Sequence, residues 1–212
     1  MEEDRKKGIK VARILEVAQK RFGLYGVEKT SMREIANDLK LSKASLYYYF
    51  PDKENLYRAV VEKEQAEFID QISEKIVSIQ EPEELLREYV IVRLSYFRAL
   101  LNLSRLRLEV YSDLRPVFRE SLLLFKEKEI EIVKGIFEKG INRGIFSIND
   151  TSQTASLFLD LLKGLRISVV NDKSTLFIDD EEYDILLEKT IMFTDIFING
   201  LKTEAIQAMN VR

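Results

Sequence analysis

The run SMREIANDLKLSKASLYYYFPDK, residues 31 to 53, constrains this chain more than any other stretch. Ser31 and Glu34 have the S-x-x-E spacing of a capping box, in which serine oxygen and glutamate satisfy amide donors at a helix start. Met32, Ile35, Ala36 and Leu39 follow at helical spacing and give one apolar face. Leu41 reads as a buried turn residue, and Ser42 as a second N-cap that restarts a helix in a new direction. In that second helix Leu46 and Phe50 point inward, while Lys43, Ala44, Tyr47 and Tyr48 share another side. Pro51 ends the helix, because proline disfavours helical geometry in the residue before it, and Asp52 caps the next one. Lys53 then stands beside a fresh helix N-terminus, whose amides and positive dipole end favour an anion such as a phosphate. Two short helices, a tight turn and the start of a third make the layout of a helix-turn-helix DNA reader.

Charge supports that reading once it is divided along the chain. The net charge of −3 is unremarkable, but residues 5–50 hold eleven Lys/Arg against four acids, a net of +7, which leaves −10 for the rest. The 212 residues contain no Cys and no His, so disulfides, thiol chemistry, imidazole bases and the usual zinc ligands fall away. No Walker loop or dinucleotide fingerprint appears. The acidic run Asp179 to Glu182 suits the positive end of a helix better than a metal, so an enzyme is the remote alternative. The first ten residues lack an apolar stretch of signal-peptide length, and no apolar run approaches membrane-spanning length. The expectation is a soluble cytoplasmic protein, without cofactor or membrane partner.

With only 8 Gly and 3 Pro, long helices are the natural reading, and an all-α fold is expected throughout. A first helix over about 6–25 carries Val11, Leu15, Ala18, Phe22 and Tyr25 and ends on a left-handed cap at Gly26. Its early cations Lys6, Lys7 and Lys10 either reach the phosphate backbone as an arm or fray into solvent. Residues 1–51 then form the helix-turn-helix domain, and 52–80 a connecting helix long enough to act as a lever. Residues 82–212 form a second helical domain whose helices run to about 101, from about 103 to 111, from 115 past 141, from about 151 to 169, and from about 180 to 201.

Residues 30–36, TSMREIA, and 41–56, LSKASLYYYFPDKENL, resemble the DNA-binding domain of the TetR family of transcriptional regulators. Tyr49 departs from the family, which often has histidine there. The pieces Gly144-Ile145-Phe146 and Phe197-Ile198-Asn199-Gly200-Leu201 look like the family's C-terminal half, though less specifically. The resemblance implies a homodimer paired through its last two helices. Phe158, Leu161, Leu162, Leu165, Ile191, Phe197 and Leu201 are the candidates for that interface, while periodicity alone fits a monomer core equally well.

Two readers on neighbouring major-groove faces, about 34 Å apart, call for palindromic double-stranded operator DNA. Lys43 and Ala44 suit base edges, lysine donating to guanine and the alanine methyl touching thymine, and by resemblance Arg33 joins them. Thr30, Ser31, Ser45, Tyr47, Tyr48, Tyr49 and Lys53 suit phosphates. Tyr49 serves equally as a core residue.

The resemblance further implies a repressor released when a small molecule binds among the central helices. Arg93, Tyr96, Phe97, Arg105, Tyr111, Phe118, Phe125 and Phe158 are the candidates to line an apolar pocket with polar anchors, and the expected ligand is small and apolar. Aromatics at helical spacing also serve as plain core. The alternative is a TetR-like dimer that binds or organises DNA without answering a ligand.

Overall fold

The structure, a computed structural model, describes residues 2–99, 116, 119–170 and 179–203. Its regular elements are helices: α1 (Glu2–Tyr25), α2 (Met32–Asp38), α3 (Lys43–Tyr49), α4 (Lys53–Ser78), α5 (Pro82–Ala99), α6 (Arg119–Asn142), α7 (Thr151–Val170) and α8 (Asp180–Leu201). The helix expected over about 103–111 lies outside the described residues. An isolated antiparallel bridge joins Phe146 to Lys202, a feature that the all-helical reading lacked.

The helix ends follow from short-range chemistry. Ser31 accepts from the Glu34 amide while Glu34 accepts from the Ser31 amide at 2.8 Å, the reciprocal capping box that starts α2. Ser42 caps α3 by accepting from the Ser45 amide at 3.1 Å. Asp52 caps α4 through the Asn55 amide at 2.7 Å, and Asp150 serves α7 through Gln153 at 2.9 Å. The acidic run opening α8 has the same role, with Asp179 and Glu182 forming a second capping box. Gly26 and Gly144, at φ 83° and 72°, end α1 and α6 in the left-handed conformation that glycine adopts at no steric cost.

The chain divides into two compact units, one of residues 2–67 with 119–122, the other of 68–98, 123–170 and 179–203. In the first, Ile14, Ala18 and Phe22 of α1 pack with Met32, Ile35 and Ala36 of α2, Leu46 of α3, and Leu56, Tyr57, Val60 and Val61 of α4. Phe22 and Tyr57 meet edge to face, ring centres 5.3 Å apart. Burying each such aliphatic or aromatic side chain contributes about 1.5–3 kcal/mol against the entropy of ordering it. Tyr25, expected on this stripe, is instead exposed beneath the Arg21 guanidinium. The buried stripe runs Ile14, Ala18, Phe22, with Val11 and Leu15 partly buried against the same core.

In the second unit Phe68 and Ile72 of α4 pack with Leu85, Leu86, Tyr89 and Val90 of α5, Val133, Ile136 and Phe137 of α6, Ala155, Phe158 and Leu162 of α7, and Tyr183, Leu186 and Ile198 of α8. Polar clips fix α8 on α5: Arg87 donates to Asp195 at 2.7 Å, and the Ser95 and Tyr183 hydroxyls lie 3.2 Å apart.

Candidate nucleic-acid interface

The turn between α2 and α3 sets the direction of the second helix. The Leu41 amide reaches back to Ala36 O at 2.9 Å and the Lys40 amide to Asn37 O at 3.0 Å, the paired bonds of a Schellman ending. Lys40 takes the left-handed position, φ 54°, without being glycine. The chain thereby leaves α2 sharply, and α3 turns Leu46 and Phe50 into the core. Lys43 and Ala44 are left exposed at its start, with Tyr47 and Tyr48 exposed a turn later.

The exposed groups form one surface. Lys43 Nζ lies 5.4 Å from the centre of the Tyr47 ring, and Lys7 Nζ of α1 lies 5.8 Å from that of Tyr48, which is 75% exposed. Tyr49 is half-buried, packs against the core of its unit and meets Tyr48 edge to face at 5.1 Å. Beside α3 an open groove of about 360 Å³ is lined by Glu28, Lys29, Thr30, Ser31, Met32, Arg33, Lys43, Tyr47 and Lys53. Four cations and one acid line it, which suits a polyanion. Lys29, absent from the sequence-derived set, is brought in by the loop that carries Thr30 and Ser31.

Several of these side chains are already engaged within the chain. Thr30 is 1% exposed and its hydroxyl donates to Gly26 O at 2.8 Å. Lys53 donates to Val27 O at 2.8 Å and Glu28 O at 3.4 Å. Ser31 donates its hydroxyl to Glu34 at 2.7 Å, and the Ser42 hydroxyl donates to Ser45 at 3.0 Å. Arg33, Lys43 and Ala44 are exposed, and Ser45 is partly so. Behind the surface, Arg21 holds α2 to α1 through Asp38, with Nε at 2.5 Å and Nη2 at 3.3 Å, and through Glu34 at 3.4 Å. These contacts set the local proton affinities. The Ser31 bonds and then Arg21 hold Glu34 below the usual carboxylate range, and Arg21 does the same to Asp38. Arg21 is raised, chiefly by its bond to Asp38.

Residues 14–60 match the sequence pattern of the tetR family of bacterial regulatory proteins. Over nearly the whole chain the fold matches the crystal structure of a transcriptional regulator from Cytophaga hutchinsonii, at 40% sequence identity and a TM-score of 0.82, covering 92% of this chain and 99% of that one. The chain belongs to the TetR family. It is similar as well to the transcriptional regulator QacR of Staphylococcus aureus, 24% identical over 193 residues that span 89% of this chain and 96% of that one. A TetR-family regulator from Pectobacterium atrosepticum shares the fold at 20% identity, with a TM-score of 0.73 over 94% of this chain and 97% of that one. The TetR family consists of DNA-binding transcriptional regulators, not enzymes, and the helix-turn-helix unit described above is its DNA-binding part. No described helix is long and apolar enough to cross a membrane.

The other candidate residues of this TetR-family chain that are described lie in its second unit. Arg93 is buried and donates Nε to Glu129 at 2.6 Å, and the Tyr89 hydroxyl donates to the same carboxylate oxygen at 2.6 Å. Burial pushes Tyr89 well up; burial also opposes the Arg93 charge, but the Glu129 carboxylate outweighs it and leaves Arg93 raised. Tyr96 and Phe125 stand near this triad with Phe68, ring centres 4.7 to 6.1 Å apart. Phe158 stacks on Phe193 and meets Phe197 at a tilt, ring centres 5.7 and 4.9 Å away. Arg105, Tyr111 and Phe118 lie outside the described residues, as does the side chain of Phe97.

Of the residues expected between subunits, Phe158 and Leu162 are buried in their own unit's core, and Leu165, Phe197 and Leu201 pack against it. Ile191 is half-buried, and Leu161 is 41% exposed. Alongside Leu161 the helices expose Leu157 and Ile167 on α7 and Ile185, Met192 and Ile196 on α8.

Proposed function

We propose that this chain represses transcription as a homodimer seated on a palindromic operator, and that a small apolar molecule bound in its second unit releases it. The observation that carries the DNA-reading part is the exposed start of α3. Lys43, Ala44, Tyr47 and Tyr48 share one face, flanked by the cationic groove of Lys29 and Arg33. Lys43 and Arg33 supply donors for guanine edges, the Ala44 methyl suits thymine, and the tyrosines and remaining cations suit phosphates.

Dimerisation is supported by α7 and α8. Leu157, Leu161, Ile185, Met192 and Ile196 are apolar, exposed and spaced at helical intervals on two adjacent helices. An apolar face of that kind costs solubility unless covered, and a second copy supplies both the cover and the second reader. Ligand release is supported by the Tyr89, Arg93 and Glu129 triad among aromatic rings, since hydrogen-bonding groups held in an apolar core are the anchors a small molecule can reorganise. The ligand-independent reading is favoured by the rings of Phe68, Tyr96 and Phe125, which fill space against each other.

Selection of bound duplexes from a random 30-base-pair pool tests the proposal. The expected result is enrichment of an inverted repeat, and a reporter carrying it falls in expression when the chain is present. Enrichment of nothing, or of a site without twofold symmetry, contradicts it. A thermal-shift screen of apolar and amphipathic small molecules separates the two regulatory readings: the ligand-released regulator gains stability with at least one compound that also lowers DNA affinity.

A further inference from the structure

Of the eleven cations between Arg5 and Phe50, five fall in nine residues of α1, Arg5, Lys6, Lys7, Lys10 and Arg13, with no acid among them. All five are exposed, and the groove beside α3 uses none of them. Like charges a helical turn apart, as at Lys6 and Lys10, repel each other and cost the helix stability, so the folded chain alone gives no reason for the cluster.

The phase of α1 shows what one of these cations faces. Lys7 is in register with Val11, Ile14 and Ala18, the residues of α1 that pack on the core, but it lies a turn beyond the point where that core ends. There it meets the reader helix instead: Lys7 Nζ is 5.8 Å from the centre of the Tyr48 ring, which is 75% exposed. Lys10 stands three residues on, a neighbour of Lys7 on the surface of α1. The first turns of α1 therefore border the exposed face of α3, and a duplex that α3 enters brings its backbone to the edge of that face.

We propose that Lys7 and Lys10 form a second phosphate-binding surface, outside the helix-turn-helix itself, which grips the DNA backbone beside the groove that α3 reads. This rests on the DNA-reading function proposed above and adds a ligand, the phosphate, to a part of α1 that the reader motif does not include. Phosphate contacts fix orientation and strengthen binding without reading sequence. Each one releases a counterion and steepens the slope of log K against log salt by about 0.9.

The test measures affinity between 50 and 300 mM salt, on the duplex that wild type enriches from the random pool and on the unselected pool. Wild type is compared with Lys7→Gln, Lys10→Gln and with Arg5→Gln, Lys128→Gln, which loses the same charge from the other side of α1 and from an exposed site on α6. The Lys7, Lys10 pair is expected to flatten the slope by about 1.8 per copy, or about 3.6 for two copies on one duplex, with an affinity deficit that grows as salt falls. The enriched sequence stays the same, helicity and melting temperature are unchanged, and the control pair keeps the wild-type slope. An unchanged slope in the Lys7, Lys10 pair makes these lysines a solvated face and overturns the inference. An equal loss in the control pair overturns it too, because net charge alone would then account for the effect. A changed enriched sequence with the slope intact would mean that Lys7 acts only by seating Tyr48, and also overturns it. If wild type enriches no sequence, the sequence-reading function fails, while the slopes on the unselected pool still decide for or against the α1 surface.

Discussion

Arg93 and Glu129, 36 residues apart in sequence, meet at 2.6 Å in the core of the second unit, both nearly inaccessible to solvent. The Tyr89 hydroxyl completes the arrangement from the turn of α5 preceding Arg93. A charge pair in such a place is held by mutual compensation: each partner's desolvation is offset only while the other stays. Removing either one leaves an uncompensated buried charge. Arg93→Met alone, or Glu129→Leu alone, is therefore expected to cost about 3–5 kcal/mol in denaturant unfolding, and the double variant much less than the sum. Additive losses would mean that the two groups do not depend on each other.

Gly140 carries a steric requirement that its helical position conceals. A Cβ at this position would stand 2.0 Å from Cδ2 of Phe146, a ring buried at 2% exposure against Phe137. Glycine to alanine in a helix interior ordinarily stabilises by about 0.5–1 kcal/mol. Here the sign reverses, and Gly140→Ala is expected to lose about 1–3 kcal/mol because Phe146 must leave its seat. Gly135, with nothing near its Cβ, is the control, and Gly135→Ala is expected to raise the melting temperature. Melting curves of the two variants check both signs.

At Lys40 the balance runs the other way. An L-residue at φ 54° carries about 1 kcal/mol of strain that glycine does not. Lys40→Gly is expected to stabilise the helix-turn-helix unit by up to about 1 kcal/mol, less the entropy glycine adds to the unfolded chain. Equilibrium urea unfolding measures it, and a loss of stability would contradict the Schellman account of the turn.

The contacts of Glu34 and Asp38 give the helix-turn-helix unit an acid limit. Both carboxylates lie below their usual values in the folded state, so they hold fewer protons there than in the unfolded chain. Their stabilisation is present above the unfolded values, about 4, and is lost as pH falls through the lower folded ones. The unit is expected to weaken below about pH 4 and to show no such dependence between pH 6 and 8. In Asp38→Asn the acid limb flattens, because one of the two protonations is gone. Helicity followed by circular dichroism during acid titration reads the difference.

Much of this fold is legible in short-range chemistry. Ser31 with Glu34, Ser42, Asp52 and Gly26 mark their helix ends in the sequence because each acts on amides within a few residues. What the sequence hides depends on partners far along the chain. The bonds from Lys53 to carbonyls 25 and 26 residues away, and the burial of Thr30, are of this kind. Helical phase hides the rest. On α7 and α8 apolar residues occupy both sides, and the stronger periodicity, with Phe158 and Leu162, belongs to the chain's own core. Leu157, Met192 and Ile196 sit outside it at the same helical period, so the sequence does not separate the exposed stripe from the buried one.

The exposed stripe makes a definite prediction about assembly. Replacing Leu161 and Met192 by Glu sets charges into the proposed interface without touching the buried core, since the two side chains are 41% and 60% exposed. Dimer dissociation is expected to rise by about a hundredfold or more in sedimentation equilibrium, with helicity unchanged. An unaltered dimer would move the interface elsewhere.

The central claim is that two copies of α3 read one DNA molecule. Hydroxyl-radical footprinting of the wild-type chain on its enriched duplex measures this most directly. The account predicts two protected patches related by twofold symmetry, their centres about 34 Å or one helical turn apart, both lost together in the Leu161→Glu, Met192→Glu variant and in Lys43→Ala. A single patch, or protection that survives both variants, would contradict it.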